Sequence, residues 1–238
     1  MRQPRSLRYA SANGTRRVVH RTGTAAEVIG PLVPGTRVTG LTAGQFSAID
    51  AMEHMVDQLF PAVVRVSTWT TGLYDIERAK QIRIAGRITD LRFLLDRGTF
   101  EKSPKFAGPL IEALGVDAFR CLAVHAKVVI VSGERGRAVM RSSMNLNKNL
   151  RTEQFDIDVD DAVADLYESW FDGLWDEAGR TRDNRAIIKA VYDRWEKPSG
   201  GAGEAPAKEK PAQRRASESV RADDLVFRPE DFDGLVDL

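Results

Sequence analysis

The sequence predicts an α/β protein in which a mixed sheet is flanked by layers of helices. Stretches with apolar residues at helical spacing alternate with short β-branched runs between residues 43 and 195. The hydrophobic fraction of 42% in 238 residues is enough for one ordinary domain with appendages. An all-helical or an all-β protein would not show this alternation.

The first half of this pattern begins with a helix, for which Thr42 is a suitable N-cap. Phe46, Ile49 and Met52 then recur at helical spacing. Pro61 starts a buried strand whose end is polar. Helices are predicted over residues 43–60, 75–85 and 106–114, and strands over residues 62–69 and 88–95.

The second half of the pattern contains more strands. A hairpin or long strand is predicted over residues 120–131, with His125 inside it. Leu166, Trp170 and Leu174 recur at helical spacing near the end of the domain. Strands are predicted over residues 137–142 and 155–159, followed by helices over residues 161–178 and 184–195.

Both ends of the chain have compositions that differ from the α/β domain predicted over residues 31–196. Residues 1–21 contain six arginines and no acidic residue, so residues 1–30 are predicted to be a flexible basic arm. Residues 197–222 are rich in Gly, Ala, Pro, Ser and charged residues, which is typical of a disordered linker. Apolar residues among acids in Asp223 to Leu238 indicate a peptide that docks on an unknown protein partner.

The cysteine content and the apolar runs indicate the compartment. Cys121 is the single cysteine, so no intrachain disulfide can form and a reducing cytoplasm is the simplest setting. No apolar segment follows the basic amino terminus, as a secretory signal requires. No run approaches the roughly 18 apolar residues of a membrane span. We expect a cytoplasmic protein without a membrane partner.

Five polar residues in the second half of the chain are candidates for a catalytic site. His125 and Lys127 are two apart in an apolar run, which places them on the same face of a strand. Ser143 and Asn145 follow closely enough to end the neighbouring strand, and Glu153 comes soon after. An imidazole, an ammonium and neutral donors can hold a phosphate diester and attack it without a metal ion or a cofactor.

Each of these residues has an ordinary structural interpretation when it is taken alone. His125 alone would be a core histidine bonded to the backbone, and Lys127 a solvated surface charge. Asn145 alone would be a turn residue and Glu153 a surface acid. Their combination in one register favours a phosphodiesterase-type site.

This combination resembles the signature of the phospholipase D superfamily, His-x-Lys-(x)4-Asp followed by Gly-Ser-x-Asn and often a Glu. The resemblance covers about residues 62–178 and implies a phospholipase D-like layered fold. It implies that the catalytic residues are His125, Lys127, Ser143, Asn145 and Glu153.

The chain looks most like the single-motif, nuclease-like members, and especially like uncharacterised proteins of bacteriophages and prophages. Those proteins have segments that are similar in sequence to residues 30–32, 41–47 and 68–70. Two positions depart from the family pattern. Ser132 stands where the motif has Asp, with Glu134 close by as a substitute, and Ser142 stands where the motif has Gly.

The resemblance also implies a mechanism in which one imidazole attacks phosphorus and a second protonates the leaving oxygen. His20 and His54 have no motif around them, so the second imidazole is expected from another subunit, in a homodimer. Lys127 and Asn145 would stabilise charge on the non-bridging oxygens. Glu153 would orient the imidazole through a hydrogen bond.

The expected substrate is nucleic acid, in an endonuclease or end-processing reaction. Arg16, Arg17 and Arg21 of the arm would neutralise its phosphates. Two alternatives stay open. One is a non-catalytic DNA-binding or scaffold protein on the same fold, which Ser132 favours. The other is a phospholipase D-type lipid phosphodiesterase, which would normally be longer and carry two motif copies.

Overall fold

The computed structural model describes residues 16–19, 23–42, 44–68, 81, 86–102, 104–146, 152–180 and 182–196. Several predicted segments therefore lie outside the described residues. They are residues 1–15 of the predicted arm, the helix over residues 75–85 apart from Gln81, the linker over residues 197–222, and the acidic segment Asp223 to Leu238.

The described residues form helices and strands that alternate along the chain. The helices are α1 (Ala25–Ile29), α2 (Ala48–Leu59), α3 (Arg97–Lys102), α4 (Pro104–Leu114), α5 (Asp161–Gly179) and α6 (Arg182–Glu196). The strands are β1 (Arg16–Val19), β2 (Arg37–Thr42), β3 (Ala62–Thr68), β4 (Ile88–Asp96), β5 (Phe119–Leu122), β6 (Val128–Gly133), β7 (Gly136–Ser142) and β8 (Glu153–Asp158).

The strands form one mixed sheet in the order β1-β2-β8-β7-β6-β3-β4-β5. The outer pairs β1–β2, β3–β4 and β4–β5 are parallel, whereas β6 and β8 run antiparallel to their neighbours. The carboxyl ends of β2, β3 and β7 therefore meet the starts of β6 and β8 at one edge of the sheet, which we call the site edge. The predicted mixed α/β architecture is confirmed.

Helices cover both faces of the sheet, because alternate residues of the strands are apolar on each side. On one face, Val64, Val66 and Phe155 belong to a large core that also contains apolar residues of α1, α2, α4 and α6. On the other face, Ile130 and Val139 pack with apolar residues of α5. Helices therefore pack against both faces of the sheet that carries the site edge.

A row of ion pairs joins α5 to the sheet. Arg137 at the start of β7 contacts Asp161, Asp165 and Glu168, with N–O distances of 2.9, 2.5 and 3.3 Å. Arg65 in β3 donates two hydrogen bonds to Asp172, at 2.9 and 3.0 Å. These acids recur at steps of three and four residues, so α5 presents one acidic stripe to the arginines.

The amino-terminal part of the fold corrects two predictions. Val28 and Ile29 of α1 are buried in the core, and β1 pairs with β2, so the predicted flexible arm does not extend to residue 30. The predicted helix over residues 43–60 begins only at Ala48. Thr42 is not its N-cap but ends β2, a strand that the sequence analysis missed.

Local hydrogen bonds explain where this helix begins. Ser47 and Asp50 cap each other's backbone at the start of α2, with the Ser47 N–H donating to the Asp50 carboxylate at 2.8 Å. Upstream of them, alternate residues of β2 are buried, which is the period of a strand.

The predicted strand over residues 120–131 is also corrected, because it is two strands joined by a loop over residues 123–127. Strand β5 ends beside β4, whereas β6 starts on the far side of β3. The loop must therefore cross the ends of β4 and β3, so its backbone leaves the ladder until Lys127, whose carbonyl accepts from β7. His125 and Lys127 lie in this crossing loop rather than within a strand.

The remaining elements agree with the predictions to within a few residues at each end. They are β3, β4, β7, β8, α4, α5 and α6. The predicted end of α4 at Gly115 is confirmed, and this glycine has a φ of 82°, a backbone conformation that favours glycine.

Gly133 at the end of β6 gives a test of this packing. A Cβ at this position would overlap the Leu59 carbonyl group and lie 3.1 Å from the Pro61 carbonyl oxygen. Backbone atoms cannot move aside as a side chain can, so Gly133→Ala should lower the free energy of unfolding by about 1–3 kcal/mol. Urea denaturation measures this change.

Gly98→Ala is the matched control, because a Cβ there would meet only the Asp96 carboxylate, at 3.4 Å. It replaces an exposed glycine in α3 and should change the free energy of unfolding by less than about 1 kcal/mol. Equal stability of the two variants would contradict the close approach of β6 to the end of α2.

Candidate active site

The site edge brings together residues that are far apart in the sequence. The crossing loop carries His125 and Lys127 over the end of β3, and the Ser67 hydroxyl holds the loop by donating to the Ala126 carbonyl at 2.8 Å. Ser143 follows β7 directly, and Glu153 begins β8. The fold therefore places four of the five predicted catalytic residues around neighbouring strand ends.

His125 and Lys127 contact each other within the crossing loop. The Lys127 ammonium donates to the His125 carbonyl at 2.9 Å and lies 3.2 Å from ring atom Nδ1 and 3.3 Å from Nε2. His125 is exposed, whereas Lys127 is half-buried. An imidazole that an external molecule can reach is thus held beside a fixed positive charge.

Burial lowers the pKa of the Lys127 ammonium from its ordinary value, and the Glu153 carboxylate partly offsets this by raising it. The two effects have a simple cause, since leaving water disfavours the charged form and a nearby opposite charge favours it. Lys127 and Glu153 therefore interact electrostatically across the site edge.

Ser143 is fixed by three hydrogen bonds to β8. Its hydroxyl donates to the Glu153 carboxylate and accepts from the Gln154 N–H at 3.0 Å. Its own N–H donates to the Gln154 carbonyl at 3.0 Å. The Ser142 N–H donates to the Lys127 carbonyl at 3.1 Å, which ties the end of β7 to the crossing loop.

Asn145 lies on the segment that leaves β7, and the Leu146 N–H anchors this segment by donating to the Thr68 hydroxyl at 3.3 Å. The Oδ1 atom of Asn145 is buried and has no hydrogen-bond partner among the described residues. The buried hydroxyl of Thr42 is in the same situation. Buried polar groups are usually satisfied, so each of these two groups is available to bond to another molecule or to a water.

Thr42 is a site residue that the sequence analysis missed. It pairs with Glu153 in the β2–β8 ladder, so the two side chains start from the same face of the sheet. The sequence offers no clear alternation of apolar residues here, because the buried positions of β2 are Val38, Gly40 and Thr42, whereas the apolar Leu41 is exposed.

The predicted phosphate-binding arginines do not join this cluster in the described part of the chain. Arg16 and Arg17 begin β1, whose start lies at the opposite end of the sheet from the site edge. Their side chains lie outside the described residues, as does the whole of Arg21.

The position that departs from the family motif, Ser132, lies far from the site edge. It pairs with Arg137 near the end of β6. Its hydroxyl donates to the carboxylate of Glu168, which also accepts from Arg137 at 3.3 Å. An acid from α5 therefore lies beside this position, whereas Glu134 is exposed in the turn that follows β6.

No group of three or more His, Cys, Asp or Glu side chains among the described residues is arranged to hold a metal ion. Among the same residues, no helix has the length and apolar character needed to cross a membrane.

Comparisons with known proteins identify no family for the chain. No protein-family model matches it, and no curated protein matches it. Among solved structures it is similar to TrmBL2, an archaeal chromatin protein whose structure shows a novel mode of DNA binding. The identity is 13%, the TM-score is 0.40, and the match covers 59% of this chain and 53% of that chain. A likeness of this size carries no argument about fold or function.

The coupling between Lys127 and Glu153 can be tested by titration. Glu153→Gln removes the negative charge, so the pKa of Lys127 should fall further below its ordinary value. Side-chain NMR of labelled lysines measures this pKa, and Lys127→Arg assigns the resonance. Glu134→Gln, which removes an exposed acid from the turn after β6, is the control and should leave the pKa of Lys127 unchanged.

A Lys127 pKa that stays constant or rises in Glu153→Gln would show that the two groups are not neighbours. The clustering at the site edge would then be incorrect.

Proposed function

We propose that the chain is a metal-independent phosphodiesterase of nucleic acids, with a phospholipase D-like fold and a catalytic site shared by two subunits. The observation that supports this proposal best is the cluster at the site edge. An accessible imidazole, an ammonium beside it, and a serine–carboxylate pair come together from three segments of the chain. This set can bind a phosphate diester and supply a nucleophile.

The first step of the proposed reaction is attack by an imidazole nitrogen of His125 on phosphorus. A P–N bond forms and the P–O bond to the leaving group breaks. The leaving oxygen takes a proton from the imidazolium of the partner subunit's His125. That imidazole then removes a proton from water, which attacks phosphorus, breaks the P–N bond and restores both histidines.

Lys127 has the role of stabilising charge on the non-bridging oxygens. Its ammonium already lies beside the nucleophilic ring, so a phosphate bound there would be within its reach. Glu153 favours the protonated form of Lys127, which keeps this charge available. Asn145 would donate to the same oxygens through its amide N–H groups, whereas its buried Oδ1, which has no partner among the described residues, can accept only from a donor of the bound molecule.

Glu153 has two proposed roles. Its carboxylate accepts from the Ser143 hydroxyl and so fixes Ser143 at the end of β7. The hydrogen bond that the Glu153 carboxylate would accept from the imidazole N–H, which the family resemblance implies, remains a prediction.

The other histidine in the described part of the chain has a structural role. Nε2 of His54 lies 2.8 Å from the Gly30 carbonyl and 2.5 Å from the side-chain nitrogen of Gln58. Gln58 also accepts from the Leu32 N–H at 2.7 Å. This pair fixes the connector after α1, so we assign the second catalytic imidazole to a second copy of the chain.

Nucleic acid is the proposed substrate because the nuclease-like single motif and the arginine-rich amino terminus favour it over phospholipid. DNA contact by Arg16, Arg17 and Arg21 belongs to this proposal. A docking partner for Asp223 to Leu238 remains a further prediction.

His125→Ala should abolish phosphodiester cleavage, with a loss of about a thousandfold or more, because both the nucleophile and the general acid are removed. Labelled DNA, labelled RNA and phosphatidylcholine vesicles are the substrates, each assayed with a chelator present. His54→Asn is the matched control, and it should keep activity in proportion to its folded fraction, measured by circular dichroism.

Several outcomes would reject parts of this proposal. Cleavage that survives in His125→Ala, or that requires a divalent ion, would exclude the phosphohistidine mechanism. DNA binding without turnover, equal in wild type and His125→Ala, would select the non-catalytic DNA-binding alternative. Cleavage of vesicles alone would select the lipid phosphodiesterase.

A further inference from the structure

A cavity lies at the end of the sheet opposite the site edge. Its volume is about 400 Å³, which is within the range of small-molecule pockets, roughly 300–1,000 Å³. The start of β4, the turn before β5 and the end of α5 surround it. The residues that matter for its chemistry are Arg92, Arg120, Asp117, Leu91 and Trp175.

One wall of this cavity is a free strand edge. Strand β5 pairs with β4 only from Phe93 to Asp96. The first half of β4, Ile88 to Arg92, therefore has no strand beside it on that side in the described part of the chain. Such an edge presents backbone donors and acceptors to whatever occupies the cavity.

Arg120 differs from the other arginines in the row beneath α5. Arg137 and Arg65 contact carboxylates of α5. Three residues after Asp172, at the next position of the same α5 face, the residue is Trp175 rather than an acid. The Arg120 guanidinium lies 4.3 Å from the centre of the Trp175 ring. Among the described residues no carboxylate lies within 4 Å of it, and its Nε atom is buried without a hydrogen-bond partner.

The backbone and Gly179 hold this guanidinium in place. Nη1 of Arg120 donates to the Phe119 carbonyl at 2.8 Å. A Cβ on Gly179 would lie 3.4 Å from Nε, so the end of α5 packs closely against the guanidinium. The positive charge is therefore positioned before any ligand arrives.

The acids around the cavity do not neutralise this charge. Asp90 pairs with Arg92 at 2.7 Å, and Asp117 pairs with Arg185 at 3.4 Å. Burial lowers the pKa of Arg120, and the neighbouring cations Arg92 and Arg185 add to this effect against the attraction of Asp117. A bound anion would favour the charged form of Arg120 and so offset both its loss of water and its repulsion by the neighbouring cations.

We propose that this cavity binds a small molecule bearing a phosphate group, with the phosphate held by Arg120 and Arg92. Arg92 lies on the same tryptophan, 5.4 Å from the ring centre. Arg92 also pairs with Asp90 at 2.7 Å and lies 3.9 Å from Asp172, so Arg120 carries the less neutralised charge, and the several oxygens of a phosphate can accept from both guanidinium groups. The apolar residue Leu91 and the free strand edge would contact the rest of the ligand. The site is independent of the proposed catalytic reaction.

Isothermal titration with inorganic phosphate, adenosine monophosphate and succinate tests this inference on the full chain. Wild type should bind both phosphate compounds saturably and succinate more weakly. Arg120→Gln should weaken phosphate binding at least about tenfold, because a charge-assisted hydrogen bond is lost. Arg97→Gln is the matched control, since it changes an exposed arginine paired with Glu101 in α3, and should bind as wild type does.

Two further variants keep the test decisive. Thr89→Trp fills the cavity from an exposed position without changing any charge, so it should block binding even if Arg120→Gln is unstable. Lys127 is itself proposed to bind phosphate at the site edge, so every titration is repeated with Lys127→Gln added, and the phosphate binding that remains belongs to the cavity.

The inference would be overturned by either of two results. They are the absence of saturable phosphate binding by Lys127→Gln, and binding that persists in both double variants, Lys127→Gln with Arg120→Gln and Lys127→Gln with Thr89→Trp. Equal affinity for succinate and phosphate would overturn the assignment to a phosphate group.

Discussion

The pairing of β7 with both β6 and β8 is the constraint on which the candidate site depends. The β7–β8 register sets Ser142 opposite Phe155, which brings Ser143 beside Glu153. The β6–β7 register sets Val128 opposite Arg141, which brings Lys127 to the end of β7. A slip of one residue in either ladder would turn the apolar residues of a strand away from the core, so core packing and site geometry are specified together.

Charge is arranged differently in the several parts of this sheet. Beneath α5, arginines of the sheet contact the acids of one helix face, and these pairs belong to the layer that holds α5. Near the start of β2, the buried Asp158 accepts from Arg37 and Arg141. At the site edge, Lys127 contacts the carbonyl and ring of His125 and interacts electrostatically with the Glu153 carboxylate. The accessible imidazole and this partly buried cation distinguish the site edge from the ion pairs elsewhere in the sheet.

Elements with a strong local signal could be predicted from the sequence. The β-branched run of β3 and the helical periodicity of α5 each define an element without knowledge of the rest of the chain. The spacing of His125, Lys127 and Ser143 predicted a site, and the fold places these residues at one edge of the sheet. Their adjacency could be inferred because they lie next to strands that are consecutive in the chain.

Features that depend on distant pairing could not be predicted in the same way. The crossing loop looked like strand because its neighbours are apolar, and only the position of β5 beyond β3 and β4 forces it out of the ladder. Thr42 was assigned to a helix because its partner, Glu153, is more than one hundred residues away. Glu168 likewise reaches Ser132 only through the packing of α5 on the sheet.

The proposed reaction needs the imidazoles of two chains at one site, so mixed dimers of active and inactive subunits reveal whether catalysis is shared. Wild type and His125→Ala are unfolded together, refolded at varied ratios, and assayed for DNA cleavage at constant total protein. If one site needs the imidazoles of both subunits, activity will fall as the square of the wild-type fraction. A linear fall would contradict the account, because each chain would then complete the reaction with its own residues.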